Sequence, residues 1–80
     1  MSKIIAEYTG TITRPADNTV RYINDDRAIV TEVYPDTVDV ITLTDMDGEL
    51  WVYTVPEGYT ILVNDGDIVN KNGVLAENND

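Results

Sequence analysis

Turn-forming residues interrupt this chain too often to leave room for a helix of any length. Pro15-Ala16-Asp17-Asn18, Asn24-Asp25-Asp26, Pro35-Asp36, Asp45-Met46-Asp47-Gly48, Pro56-Glu57-Gly58, Asn64-Asp65-Gly66-Asp67 and Asn70-Lys71-Asn72-Gly73 succeed one another along the sequence. Each combines a residue that presets φ, one that tolerates the left-handed region, or a short polar side chain that bonds nearby backbone. Between them lie short runs of Val, Ile, Thr, Tyr and Trp, which favour strands. Even the longest stretch free of Gly and Pro, residues 16–34, is loaded with β-branched and turn residues. Strands are expected over residues 3–8, 10–13, 19–23, 28–34, 38–44, 50–55, 60–63, 68–69 and 74–76. Closely spaced strands with frequent turns make an all-β barrel or sandwich of about seven to nine short strands.

Four turns are specific enough to assign. Gly48 is expected to take the left-handed conformation in a hairpin loop. In Val55-Pro56-Glu57-Gly58, Pro56 is expected at the second turn position. Gly66 and Gly73 are expected to permit the last two tight turns, with Gly73 at positive φ. No internal repeat stands out. One domain is expected over residues 1–77, with residues 78–80 a frayed acidic tail.

Several strands carry apolar residues on both faces. Leu50 and Val52 alternate with Trp51, Tyr53 and Val55, so strands that pass between sheets would half-bury both sides. The Trp51/Tyr53 pair is either the edge of the core or a face that meets a partner, since such aromatics suit both settings.

The composition removes whole classes of chemistry. Histidine and cysteine are absent, which eliminates the commonest general base, the commonest zinc ligands and the Ser-His-Asp and Cys-His nucleophile systems. The formal charge is −10, which repels nucleic-acid backbones and anionic membrane surfaces and is read first as a solvated acidic face that keeps the chain soluble, with steering towards a basic partner as the alternative. No apolar run spans a bilayer, and Met1-Ser2-Lys3 leads into no signal-peptide core, so a cytoplasmic chain is expected.

Two acidic turns invite a metal reading. Asp45-Met46-Asp47-Gly48-Glu49 resembles the start of a calcium loop, but Glu49 and Leu50 fall in the third-ligand and glycine slots and no helix flanks it. Asp65 and Asp67 are followed by Val69. Both are read as ordinary turns. No carboxylate pair is marked out for acid–base work, and no phosphate loop is present. No catalytic residue, metal ligand or cofactor is assigned.

The second half carries a longer pattern: a hairpin around Asp47-Gly48, then Val55-Pro56-Glu57-Gly58, a strand, then Gly66, Val69, Gly73 and Leu75-Ala76. It resembles the sandwich-barrel hybrid motif of the β′ subunit of bacterial RNA polymerase. The copies it is most similar to lie in the lineage-specific insertion that interrupts the trigger loop. The last spacing is one residue shorter than in that pattern. Residues 5–12 are similar to the motif's opening strand. The resemblance implies a non-catalytic domain outside the polymerase active centre, biasing the trigger loop through contacts with other parts of the polymerase or a transcription factor. The alternative is a stand-alone acidic adaptor, natural or designed. Biotinyl and lipoyl carrier domains share the hybrid fold, but Lys71, between Asn70 and Asn72, does not stand at the carrier hairpin tip.

Overall fold

A computed structural model describes residues 1–79 and shows an all-β molecule. Its nine strands are β1 (Ser2–Ile5), β2 (Gly10–Thr13), β3 (Thr19–Ile23), β4 (Ile29–Val33), β5 (Val38–Asp45), β6 (Leu50–Pro56), β7 (Thr60–Ile61), β8 (Ile68–Val69) and β9 (Val74–Asn78). They form sheets in the orders β1-β9-β7, β6-β5-β2-β8 and β3-β4. Every strand expected from the turn residues is present. Among the described residues no helix is long and apolar enough to cross a membrane.

The first and last parts of the chain run antiparallel to each other and stitch two sheets together. β1 pairs with β9 from Ser2↔Asn78 inward, and β2 pairs with β8 at Gly10↔Val69 and Thr11↔Ile68. Between these ladders, Ala6 N–H donates to the Gly73 carbonyl (2.9 Å) and Asn72 N–H to the Ala6 carbonyl (2.8 Å). Beyond β8, Ile12 N–H donates to the Asp67 carbonyl and Gly66 N–H to the Ile12 carbonyl, each at 2.8 Å. The two clamps have the same form. They come from Asn64-Asp65-Gly66-Asp67 and Asn70-Lys71-Asn72-Gly73, which begin six residues apart and repeat one local structure. The expected absence of a repeat is therefore corrected for this short stretch.

Gly73 is also corrected. The left-handed residue of the second clamp is Asn72 (φ 74°), the counterpart of Gly66 (φ 91°) in the first. Asn, like Gly, suits the third position of a turn that demands positive φ. Gly73 is needed for closeness, because a Cβ there would lie 3.0 Å from the Asn70 carbonyl oxygen. Pro56 likewise shifts role. It ends β6 opposite Val38, and the turn lies at Glu57-Gly58 with Gly58 at φ 92°. β6 is a sheet edge, where a residue lacking an N–H is tolerated.

Asn78, the first residue of the expected tail, ends β9. Glu77 pairs with Lys3 and Asn78 with Ser2, because backbone ladders need no apolar side chain. Asp80 lies outside the described residues. At the other end β1 stops at Ile5 rather than reaching residue 8. The register shifts between Ile4 and Ile5 as the chain leaves one sheet for the other.

The core is made by Ala6, Ile12, Ile41, Leu43, Val55, Val63, Leu75 and Ala76, with Ile4, Trp51, Tyr53, Tyr59, Ile61 and Val69 packed around it. β5 is central and covered on both faces, so Val40, Ile41, Thr42 and Leu43 are all buried. Thr42 satisfies its hydroxyl by donating to the Thr13 carbonyl at 3.2 Å, as a buried polar group must. β2 lies against β5 through Gly10. A Cβ at that position would collide with the Thr44 carbonyl oxygen.

β3 and β4 stand apart as a two-stranded arm with no further strand beside it. Their residues alternate strictly. Val20, Tyr22, Val30 and Glu32 share the inner face, while Arg21, Ile23, Ile29, Thr31 and Val33 share the outer one. Only Val20 of the arm is fully buried.

Candidate functional site

A groove of about 580 Å³ opens between the loop at the arm's tip and the β5–β6 loop. The two loops that bound it are built alike. At the arm tip, Asn24 N–H donates to the Ala28 carbonyl and Arg27 N–H to the Asn24 carbonyl. The Asn24 Oδ1 then accepts the N–H groups of Asp26 and Ala28, both at 3.0 Å. In the β5–β6 loop, Asp45 N–H donates to the Glu49 carbonyl and Gly48 N–H to the Asp45 carbonyl. Asp45 Oδ1 accepts the N–H groups of Asp47 and Glu49, both at 2.9 Å. The fourth residue is left-handed in each, Arg27 at φ 59° and Gly48 at φ 83°. This is the three-residue hairpin loop in which a tight turn is followed by a left-handed residue.

One atom separates the loops chemically. Asp45 has a second carboxylate oxygen, and Trp51 Nε1–H donates to it at 2.9 Å. Hydrogen bonds from the Trp51 indole and then from the Glu49, Asp47 and Gly48 amides hold the Asp45 carboxyl below its ordinary pKa, against a smaller opposing effect of burial. Asp45 is thus an anion engaged by its own loop, which accounts for the calcium-like spacing without a metal. The Trp51 indole is stacked on Tyr8, centroids 4.3 Å apart and planes 21° apart. Trp51 is half-buried, packs against the core and lines the groove.

Tyr53 lies across from Ile41 on the same side of β6 as Trp51. Its hydroxyl accepts the Glu7 N–H at 3.1 Å, and its ring packs on the core. Tyr53 does not line the groove. The two aromatics are therefore placed differently, Trp51 between core and groove, Tyr53 at the core's margin. Gly48 is at the groove itself, whereas Pro56, Gly58, Gly66 and Gly73 belong to the turns already described.

The arm's inner face holds a second polar arrangement. Tyr22 and Tyr34 donate from their hydroxyls to the two oxygens of Glu32, at 2.8 and 2.7 Å. The bond from Tyr34, then that from Tyr22, lowers the Glu32 pKa. Both phenols are raised in turn, chiefly by donating to Glu32. At the arm's base, Ala16-Asp17-Asn18-Thr19 turns tightly with Asp17 and Asn18 left-handed at φ 55° and 50°. Asn18 Nδ2 donates to the carbonyls of Val38 (2.7 Å) and Pro35 (3.2 Å), anchoring the arm to the start of β5. Sequence reasoning expected these polar side chains to bond their own turn.

The arm's outer face is the largest surprise. Ile23, Ile29 and Val33 are 71%, 76% and 73% exposed, and Ile23 faces Ile29 directly across the hairpin. The signal was the i, i+2 alternation within residues 19–33, but which face pointed outward was not legible. In comparisons with known proteins, no family model and no curated protein matches this chain.

Proposed function

We propose that this chain is a non-catalytic protein-interaction module of the transcription machinery. The observation that carries the interaction role is the β3–β4 arm, a two-stranded ribbon whose outer face presents Ile23, Ile29 and Val33 to solvent. An isolated hairpin is marginal in water, and an apolar face left on it suits a surface that a partner covers. A second copy of the chain would bring two charges of −10 together, which opposes self-association. The choice of partner rests on the likeness of residues 47–77 to the hybrid motif of the polymerase β′ insertion. In this reading the body is the hybrid-motif scaffold, and the arm contacts another part of RNA polymerase. The module supplies no catalytic group and acts by favouring one conformation of its host over another.

The test is binding of the chain to purified bacterial RNA polymerase core enzyme, followed by elongation assays. Binding is expected, with altered pausing or transcript cleavage and intact nucleotide addition. The Ile29→Asp/Val33→Asp double variant, folded by circular dichroism, is expected to lose binding. Failure of the unaltered chain to bind, or equal binding by the variant, would overturn this assignment.

A further inference from the structure

We infer that the groove between the two hairpin loops receives an arginine or lysine side chain from a basic segment of the partner protein. The inference rests on the reading of this chain as a protein-interaction module and specifies the chemistry of what it binds. Of the groove's lining, Tyr22, Ile23 and Asp25 come from the arm, Glu49 from the β5–β6 loop, and Leu50 and Trp51 from the start of β6. The lining contains aromatic and aliphatic groups and a carboxylate on each side, and no cationic side chain. A long basic side chain matches this arrangement. Its methylenes lie along apolar walls while its charged head reaches a carboxylate, and its charge is attracted to an aromatic ring.

Trp51 is prepared for that role. Tyr8 fixes its plane by stacking, and the ionised Asp45 accepts its indole N–H. A carboxylate bonded to the N–H pushes electron density into the ring and strengthens its attraction for a cation. Asp45 is already occupied by two amides of its own loop and the Trp51 indole N–H, so Asp25 and Glu49 are the carboxylates left to meet the guest. The wider field agrees, since a chain of net charge −10 draws basic segments towards it. The two loops bring Asp25 and Glu49 to the border of one cleft, which neither loop could do alone.

Trp51 is the only tryptophan, so its fluorescence reports on the groove. The probe is an acetylated, amidated peptide of five Arg-Gly repeats, titrated at physiological salt, with a Glu-Gly peptide of the same length as control. A saturable change in Trp51 emission is expected with the Arg-Gly peptide only. The Asp25→Asn/Glu49→Gln double variant is expected to weaken binding about tenfold, the sum of a few modest charge contacts. The Asp36→Asn/Glu57→Gln variant removes the same charge elsewhere and is expected to change affinity less than threefold. No saturable response, or equal weakening by both variants, would overturn the inference, the second result showing attraction by total charge alone. The polymerase assay separates the two readings. Arm-dependent polymerase binding without a peptide response sinks only the groove inference. A groove-dependent peptide response without polymerase binding sinks only the choice of partner.

Discussion

The β3–β4 and β5–β6 hairpins turn on the same loop and end in opposite surroundings. Both begin with an Asx residue whose Oδ1 gathers two amides, and both carry a left-handed fourth residue. Yet β5 has a neighbour on each side and burial on both faces, while β3 and β4 have only each other. Loop chemistry thus determines that a hairpin forms and in which register. What surrounds the hairpin is decided by its strands. β5 reads Val40-Ile41-Thr42-Leu43, apolar on both faces, whereas the arm sets Arg21, Thr31 and Glu32 among its apolar residues. The Asx choice adds a second lesson. Aspartate at position 45 can accept the Trp51 N–H with its other oxygen, where an asparagine would offer a donor to a donor.

The largest effect that could break this comparison is in the core. Leu43→Ala, fully buried in β5, is expected to cost about 2–5 kcal/mol in chemical denaturation. Val30→Ala on the arm's half-buried inner face is expected to cost about 1 kcal/mol or less. Equal costs would mean that the arm is as integral to the folded body as β5.

Asn18→Gly comes next. Glycine keeps the left-handed backbone and removes both side-chain bonds to Pro35 and Val38. A loss of about 1–2 kcal/mol is expected from two hydrogen bonds. Hydrogen exchange should show it in β3 and β4 amides while β5 and β6 stay protected.

The loops themselves give a reciprocal pair. Arg27→Gly removes a side chain from a left-handed backbone and is expected to stabilise by about 0.5–1 kcal/mol, the strain relieved less the extra entropy of glycine. Gly48→Arg places the same strain in the other loop, where a Cβ meets nothing within 4 Å. Its expected cost of about 1 kcal/mol is therefore backbone strain alone. Shifts of the same sign in thermal melts would show that the two loops are not equivalent.

pH separates the hairpins by its alkaline limb. Glu32 and Asp45 are lowered in the folded protein, so their stabilisation is present above the ordinary carboxylate range and is lost as pH falls through the lowered values. Both hairpins should therefore loosen in acid. Tyr22 and Tyr34 are raised, so their contribution is present below about pH 10 and is lost as pH rises through the raised values. Amide NMR across pH 3–11 should show an alkaline loosening of the arm through these phenols, and Glu32→Gln should remove most of it.

Much of this was legible in one dimension. Turn residues placed all nine strands, because Gly, Pro, Asn and Asp act locally. What depended on distant chain was not legible. Asn78 is ordered by pairing with Ser2, a fact about the other terminus. Asn72 takes the positive φ that Gly73 was expected to have, since both residue types tolerate it and only the clamp on Ala6 decides. Trp51 stood out as an aromatic. Its partners Tyr8 and Asp45, and its place in a groove shared with Tyr22, could not be read, because a groove between two loops belongs to neither segment.

The smallest expected effect on stability is the one that bears most on function. Ile29→Thr changes a side chain that is 76% exposed, in an arm whose buried residue, Val20, lies outside the main core cluster. It keeps β-branching, so strand propensity is retained. Most of the apolar area it removes is still in water in the folded chain, so folding loses little by it. A shift within about 0.5 kcal/mol is expected in denaturation. A docked partner would withdraw that area from water, and there the same substitution should tell. Unchanged stability with weakened polymerase binding would mark the outer face as a surface kept for a partner. A loss above about 1 kcal/mol in the isolated chain would mean that Ile29 is covered by the protein's own structure in solution, and the contrast between exposed arm and closed body would fall.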